Sequence, residues 1–584
     1  MTAMVSYRVS SLNPLTHLFE VEMTVEQPHA NQVVSLPVWI PGSYMVREFS
    51  KHLQGLSAHQ GRRRCTLEQQ NKNTWSVTCQ SHKPLTLRYQ VYALDASVRA
   101  AYLDGQRAFF NGTSLFLRAH GFSDQSHELN LKAPKGTQGW QVATALNPKS
   151  VDQRGWGTYV AQSYEELIDA PVECGRFWSG QFMVGPVKHR MIVTGSTAAF
   201  DGARMLADVQ RICAAAIEMW HGKQGKPPHR HYVFLLHAVE DGYGGLEHGH
   251  STALICSRRD LPRMGQTGLS DAYVTLLGLI SHEYFHTWNV KRLRPREFET
   301  LNLEQENHTS LLWFFEGFTS YFDDWLLVKA GLIDAPHYLR LLGKTIASVQ
   351  QTPGRKVQSV AQSSFDAWVK YYRQDENTPN ATISYYTKGA LVALCLDLSL
   401  RSEGSNLPSV MRGLWRRCAG GPMSEDDLLA ELKKQTQRDW SAELQAWVHS
   451  TRELPLADLL RAHGVKIDTE ADPISQRLGL RVQETPSGIL IKSVWRDSAA
   501  EAAGMAAGDE WLGVQVAGST TAAAWRLKKL DDLPLLMGKA RRCKALISRD
   551  QTLHWLTLNW PSLGSTHWTL QPDPEHAPRL RRWL

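Results

Sequence analysis

Hydrophobic and polar residues alternate through much of the first 170 positions of the chain, and this period of two is typical of half-buried β-strands. Residues 19–25 and 85–91 show it most clearly, and turn-rich segments separate such stretches. The pattern predicts a mostly antiparallel β domain over residues 1–170. Such a domain would either wall one side of a cleft or serve a purely structural role.

The pattern changes over residues 171–465, where short apolar runs are followed by helical periodicity. Residues 232–236 and 251–256 are apolar enough for short buried strands. Ser424, followed by three acidic residues at 425–427, predicts the capped start of a helix. We therefore expect a small sheet that leads into a helical bundle.

One predicted helix in this region carries a chemical signature. Ser270 is a suitable N-cap, and apolar residues then recur every three or four positions, at Tyr273, Leu276, Leu277, Ile280 and Tyr284. A different face holds Gly278, His282, Glu283 and His286. Two histidines four apart can bind one metal ion, and the carboxylate between them can accept a proton from water on that ion. The alternative is an amphipathic helix with two partly buried histidines.

A catalytic zinc ion needs a third protein ligand and an open position for water. Residues 309–330 predict a dense apolar helix with Glu316 inside it. A buried carboxylate is costly unless it is paired or bound to metal, so we expect Glu316 to bind Zn²⁺ together with His282 and His286. Asp323 lies two turns further along the same face. It would either accept the ring N–H of a metal-bound histidine or face solvent.

These residues resemble the metal site of the gluzincin metallopeptidases, in which the third ligand is a Glu on a second helix. Residues 244–248, Gly-Gly-Leu-Glu-His, are similar to the Gly-x-Met-Glu-Asn element of aminopeptidase N-like enzymes. Residues 386–389, Tyr-Thr-Lys-Gly, are similar to their Tyr-x-Lys-Gly element. All of these elements occur in the order that the family shows.

The resemblance implies a role for each residue. Glu283 would be the general base, Tyr386 would stabilise the oxyanion, and Glu247 would bind the free amino group of the substrate. Tyr385 is the neighbouring alternative to Tyr386. Gly244 and Gly245 would also bind substrate, and the strand near Glu247 could bind the substrate backbone by edge pairing.

Three further segments make the chain similar to the M61 (glycyl aminopeptidase) family over nearly its whole length: residues 37–44, 110–115 and 286–295. The chain departs from the aminopeptidase N pattern in the twenty-nine residues that separate His286 from Glu316. It also has Leu246 and His248 where that pattern has Met and Asn.

The M61 resemblance implies a zinc aminopeptidase that removes small N-terminal residues such as Gly or Ala from peptides. A zinc endopeptidase that recruits protein substrates, or a non-catalytic binding protein, are the alternatives.

The last part of the chain resembles a PDZ domain over residues 475–563, after a helix and linker at 451–476. Residues 498–510 carry most of this resemblance. The loop 478–480, Leu-Gly-Leu, would bind a peptide C-terminal carboxylate or serve as an ordinary turn. Residues 525–538 would form the helix beside the peptide groove. The expected fold class is thus multi-domain α+β: an N-terminal antiparallel β domain, a mostly α gluzincin (thermolysin-like) domain and a C-terminal PDZ-like domain.

Composition excludes several other classes of protein. A chain of 584 residues is too long for one core, and no run approaches the eighteen apolar residues of a membrane helix. The start lacks the features of a signal peptide, and the eight cysteines form no CxxC, so we expect reduced thiols and a cytoplasmic location. The net charge of +7 is small and dispersed, which argues against nucleic acid as a partner, and the lack of a long apolar run argues against a membrane.

Overall fold

Strands dominate the first part of the chain. The computed structural model describes residues 4–11, 13–223, 225–486, 488–516, 523–562, 564 and 566–584. The strands up to residue 175 are β1 Val5–Ser10, β2 Leu18–Val25, β3 Asn31–Ser35, β4 Leu53–Gln60, β5 Arg63–Arg64, β6 Thr66–Gln69, β7 Thr74–Thr78, β8 Leu85–Tyr92, β9 Ala101–Leu103, β10 Arg107–Phe110, β11 Arg118–Ala119, β12 His127–Leu131, β13 Gln141–Thr144, β14 Asn147–Val151, β15 Gly157–Ala161 and β16 Val172–Gly175.

These strands form three sheets. The largest has the order β14-β15-β12-β1-β2-β8-β4-β5, and the other two have the orders β13-β16-β10-β9 and β11-β3-β7-β6. Pairing is antiparallel except between β1 and β12. In β2 and β8 every second residue is buried, so the two strands predicted from alternation are confirmed.

A separate five-stranded sheet follows, and its three central strands are parallel to one another. Its strands are β17 Trp178–Val184, β18 Val187–Thr194, β19 His231–Val239, β20 Tyr243–Glu247 and β21 Ser251–Ser257. They lie in the order β17-β18-β19-β21-β20, with β18, β19 and β21 parallel and β20 antiparallel at one edge. The buried strands expected at 232–236 and 251–256 are therefore confirmed.

Helices make up most of the chain between residues 200 and 462. The α-helices up to residue 462, the first two of which precede this region, are α1 Gly112–Leu115, α2 Tyr164–Ile168, α3 Gly202–His221, α4 Asp271–Phe285, α5 Leu312–Lys329, α6 Ala335–Gln350, α7 Val360–Phe365, α8 Thr378–Ala381, α9 Tyr385–Ser402, α10 Leu407–Arg417, α11 Glu425–Thr436, α12 Ser441–Trp447 and α13 Leu456–Ala462. The helix expected after Ser424 is confirmed as α11, with its acidic first turn.

The chain folds into two compact units. One contains Met1–His308, Phe322–Leu332 and Met411–Asp427, and the other contains Thr309–Tyr321, Ile333–Val410 and Leu428–Leu584. The first therefore holds all the sheets described so far together with helix α4. The second holds α6 to α9 and everything beyond residue 427. The domain boundaries expected from the sequence stay a prediction.

The C-terminal part contains a second sheet region with its own core. The elements are β22 Val465–Glu470, α14 Ile474–Leu478, β23 Leu480–Glu484, β24 Ile489–Val494, α15 Ala499–Ala502, β25 Glu510–Val516, β26 Trp525–Arg526, α16 Leu533–Met537, β27 Arg542–Arg549, β28 Thr552–Asn559, β29 His567–Pro572 and α17 Ala577–Trp583. Strands β23-β24-β25-β27-β28 form one sheet, with β26 paired to β25.

Two expectations for this region are wrong. Residues 525–538 are not one helix, because a short strand and a turn precede α16, and Pro534 lies in the first turn of that helix, the position that proline tolerates. The helix expected within 451–476 is confirmed as α13, but the expected linker after it contains β22, which pairs with β29 about a hundred residues later. After β29 the chain returns to the helices of its own unit, where Nε1 of Trp583 donates to the Tyr321 hydroxyl at 3.1 Å.

All eight cysteines are free thiols. Among the residues that the structure describes, no helix combines the length and apolar character needed to cross a membrane.

Candidate active site

Helix α4 carries two histidines and the glutamate between them. Oγ of Ser270 accepts a hydrogen bond from the Tyr273 N–H, so the predicted N-cap is confirmed. The apolar stripe is buried, but so are Glu283 and His286 on the other face, at 5% and 1% exposure. The polar face of this helix therefore lies inside the protein, where charged groups persist only with partners.

Both imidazole rings are held by hydrogen bonds at Nδ1. Nδ1 of His282 donates to Oδ2 of Asp323 at 3.1 Å, and Nδ1 of His286 donates to the Asn289 carbonyl at 2.8 Å. The ring centroids lie 4.7 Å apart. Each bond fixes the tautomer that leaves Nε2 as the electron-pair donor, the arrangement in which proteins present histidine to zinc.

The loop after α4 fixes the carbonyl that His286 contacts. The Val290 N–H donates to the Leu293 carbonyl at 2.8 Å, and the Lys291 N–H donates to the His286 carbonyl at 3.1 Å. Val290 has φ +101°, which is strained for a β-branched residue. The peptide plane between Asn289 and Val290 is thus held from both sides. Sequence reasoning missed this contact, because a backbone carbonyl leaves no signal in residue identity.

Strand β20 lies against α4 and contains Gly244 and Gly245. A Cβ added at Gly245 would lie 2.2 Å from Oε1 of Glu283, so the strand passes as close to this carboxylate as glycine allows. One guanidinium nitrogen of Arg99 donates to the Gly245 carbonyl at 3.3 Å. Since β20 is an edge strand of its sheet, an extended peptide could pair with it.

Glu247 ends strand β20 beside these groups. It is 4% exposed, and one oxygen from each of Glu247 and Glu283 and one nitrogen of His286 lie within 4.8 Å of one another. Gly42, at φ +92°, covers the carboxylate of Glu247, because a Cβ there would lie 2.5 Å from its Oε1. A cavity of about 370 Å³ adjoins both residues and is also lined by His248. Two buried carboxylates this close favour a cation between or beside them.

A half-buried ion pair anchors the segment that follows Glu247. Asp169 accepts from the Gly249 N–H at 2.8 Å, and its other oxygen lies 2.6 Å from Nζ of Lys291 and 3.1 Å from Nδ1 of His248. Burial opposes ionisation of Asp169, but Lys291 and His248 outweigh it and hold the pKa of this carboxyl well below its usual range. Sequence reasoning missed Asp169, which lies far from the motifs.

Helix α5 carries Glu316 and Asp323 seven residues apart, as expected. Glu316 is 2% exposed among buried aromatic residues. Its neighbour Gly317 packs against α9, because a Cβ there would lie 2.5 Å from the Cα of Gly389. Two imidazoles and one carboxylate are the donors of a common class of catalytic zinc site, so these residues have the right chemistry to hold that ion.

Tyr386 lies in the first turn of α9, which Ser384 caps through the Thr387 N–H at 3.3 Å. Burial, followed by the nearby Glu316 carboxylate, raises the pKa of Tyr386 well above its ordinary value. Its hydroxyl therefore remains protonated near neutral pH. The ring of Tyr386 is half-buried whereas Tyr385 is fully buried, which favours Tyr386 as the tyrosine that can reach a substrate.

Comparison with known proteins agrees with this chemistry. A model of the M61 N-terminal domain matches residues 6–176, and a model of M61 glycyl aminopeptidase matches residues 275–392. The crystal structure of an aminopeptidase N family protein from Idiomarina loihiensis is 36% identical, with a TM-score of 0.93 and 100% coverage of both chains. The chain belongs to the M61 peptidase family. It is a metallopeptidase, and its family implies a bound metal.

The two M61 family models do not match all residues of the candidate site. Residues 275–392 include His282, Glu283 and His286 as well as Glu316 and Tyr386, but Glu247 lies outside both matched ranges. The M1 zinc metallopeptidase from Deinococcus radiodurans is 14% identical, with a TM-score of 0.48 and coverage of 77% of this chain and 94% of that one. No curated protein sequence matches the chain.

Proposed function

We propose that this M61 peptidase is a zinc-dependent aminopeptidase that hydrolyses the first peptide bond of substrates with a free N-terminus. The observation that carries the proposal is the second buried carboxylate, Glu247, beside Glu283 and His286 at the end of an edge strand. A carboxylate at this position can pair with the α-ammonium of a substrate, which only a free N-terminus carries.

We propose His282, His286 and Glu316 as the zinc ligands, with Asp323 orienting the ring of His282. The ring hydrogen bonds at Nδ1 and the burial of Glu316 support this assignment. When bound, zinc would act as a Lewis acid and lower the pKa of a water molecule toward neutrality.

The remaining residues have separate roles in the proposed reaction. Glu283 accepts a proton from the attacking water and delivers it to the departing amine. Tyr386 donates a hydrogen bond to the oxyanion, which its raised pKa supports. Glu247 binds the α-ammonium of the substrate, while Gly244 and Gly245 leave room for the substrate backbone along β20.

A pair of peptides tests whether cleavage requires a free N-terminus. A free-amine peptide such as Gly-Leu-Phe and its N-acetylated twin are given to the wild type and to the Glu247→Ala variant. We expect the wild type to cleave only the free-amine peptide, and Glu247→Ala to cleave neither efficiently. Equal cleavage of both peptides by the wild type would instead identify a zinc endopeptidase and leave Glu247 a structural role.

The preference for Gly or Ala rests on the family resemblance. The cavity of about 370 Å³ beside Glu247 has space for a larger side chain, so the preference needs its own test. We expect kcat/KM to fall from Gly and Ala to Leu and Phe in a series of aminoacyl p-nitroanilides. Equal kcat/KM values across the series would contradict the preference for Gly or Ala but would not contradict aminopeptidase activity.

We further propose that residues 475–563 form a PDZ-like module that binds a peptide C-terminus. Support comes from β23, which is an edge strand, and from Gly479, whose left-handed φ of +73° turns the chain into it. Against the binding role, the Gly479 N–H already donates to the Gln476 carbonyl at 3.1 Å. The alternative of a non-catalytic binding protein is set aside, because the chain is a metallopeptidase. The cytoplasmic location stays a prediction.

A further inference from the structure

Lys388 is a buried lysine to which the proposed function gives no role. Lys388 is 3% exposed, yet no described residue forms a hydrogen bond or salt bridge with its Nζ. Lysine is almost never buried to this degree without a partner, because an ammonium loses most of its hydration there. The side chain is therefore a candidate anchor for an anionic ligand.

Lys388 lines a cleft of about 660 Å³ that lies within one compact unit. Apolar side chains form much of the wall: Val349, Leu391, Pro455, Leu456 and Trp568. Cavities of roughly 300–1,000 Å³ with an apolar lining and a few polar groups are typical small-molecule sites.

Glu453, the carboxylate that raises the pKa of Lys388, is already paired with an arginine. Nε of Arg355 pairs with Oε1 of Glu453 at 3.0 Å, so these two charges largely cancel. Asp458 also lines the cleft, but its side chain is 90% exposed and its charge is screened by water. Burial lowers the pKa of Lys388, and the Glu453 carboxylate opposes this only in part.

We propose that this cleft binds a small organic carboxylate that carries an apolar group, with the carboxylate on Nζ of Lys388 and the apolar group against Trp568 and Leu391. Such a carboxylate is present in two sources, a free amino-acid derivative and the C-terminus of a peptide.

The holoenzyme is titrated calorimetrically near pH 7 with N-acetyl-leucine, whose blocked amine cannot use the proposed ammonium site at Glu247. N-acetyl-leucine amide, which lacks the charge, and inorganic phosphate, which lacks the apolar group, are the comparison probes. Lys388→Met removes the proposed anchor. Lys356→Met, an exposed lysine beside Arg355, is the matched control.

We expect wild type and Lys356→Met to bind N-acetyl-leucine equally, and Lys388→Met to bind it about 10- to 100-fold more weakly, because a charged hydrogen bond is lost. Lys388→Arg should retain binding, which separates loss of charge from loss of fold. N-acetyl-Gly-Gly-Leu identifies the source: tighter binding than N-acetyl-leucine means a peptide C-terminus, and equal or weaker binding means a free carboxylate.

Three results would overturn the site. The first is unchanged affinity in Lys388→Met, which would place the carboxylate elsewhere, the metal included. The second is equal binding of the amide or of phosphate. The third is no detectable binding of N-acetyl-leucine to the wild type at millimolar concentrations.

Discussion

Asp323 provides the most direct test of how the proposed metal site is built. Its Oδ2 accepts from Nδ1 of His282 at 3.1 Å, and its side chain is only 18% exposed, so water replaces this contact poorly. Loss of such an outer contact typically weakens metal binding about 10- to 100-fold. At about 1.4 kcal/mol for each factor of ten, this corresponds to roughly 1.4–2.8 kcal/mol of zinc binding free energy.

Two substitutions at this position separate charge from hydrogen bonding. Asp323→Asn keeps an acceptor oxygen and should lose less zinc affinity than Asp323→Ala, which removes the acceptor altogether. Zinc affinity is measured by competition with a chromogenic chelator, and peptidase activity is measured at saturating zinc.

Asp208→Asn is the matched control. Asp208 accepts from the Tyr273 hydroxyl at 2.9 Å near the start of α4, so its loss weakens a similar contact to the same helix. The control should lower the melting temperature without changing zinc affinity. If Asp323→Ala bound zinc within threefold of the wild type, the orienting role of Asp323 would be refuted.

Four further outcomes are expected. Glu283→Gln should keep its zinc but lose about 10²–10⁴ in kcat, and near-normal turnover would remove Glu283 as the base. Gly245→Ala should place a methyl group against the Glu283 carboxylate, so kcat/KM should fall sharply at unchanged zinc content, whereas full activity would contradict the close approach of β20. Tyr386→Phe should lower kcat by about 10²–10³ while Tyr385→Phe should not, and the reverse result would exchange their roles. Burial lowers the pKa of His189 to about 4, so the unfolded chain binds the proton first and stability should fall as the pH drops from about 6.5 toward 4. Melting temperatures should show a smaller drop for His189→Gln, and an identical drop would contradict this account.

Sequence patterns within a single element correctly predicted several helices and strands. The Ser270 cap and the apolar stripe identified α4, and alternation identified β2 and β8. The predicted helix over 525–538 failed for an equally local reason, since Pro534 can begin a helix but disrupts the interior of one.

Long-range pairing explains the other failures. Strand β22 pairs with β29, with Val465 opposite Pro572, and neither segment shows alternation strong enough to predict the partner. The same limit applies to the candidate site. Motif spacing singled out His282 and His286, but nothing local connects them to Asp169, which contacts Lys291 from more than a hundred residues earlier in the chain.

The two histidines are held by different means, and this difference has consequences for how each can be perturbed. His282 depends on one side chain, so a single substitution at Asp323 reaches it directly. His286 depends on the Asn289 carbonyl, which no substitution at residue 289 removes. That carbonyl is positioned by the strained Val290 and by Lys291, whose ammonium is bound to the half-buried Asp169. Because Asp169 also binds the Gly249 N–H and His248, the position of the His286 ring and the position of Glu247 depend on the same carboxylate. Metal affinity and amine recognition should therefore weaken together when Asp169 is lost, although Asp169 belongs to none of the motifs.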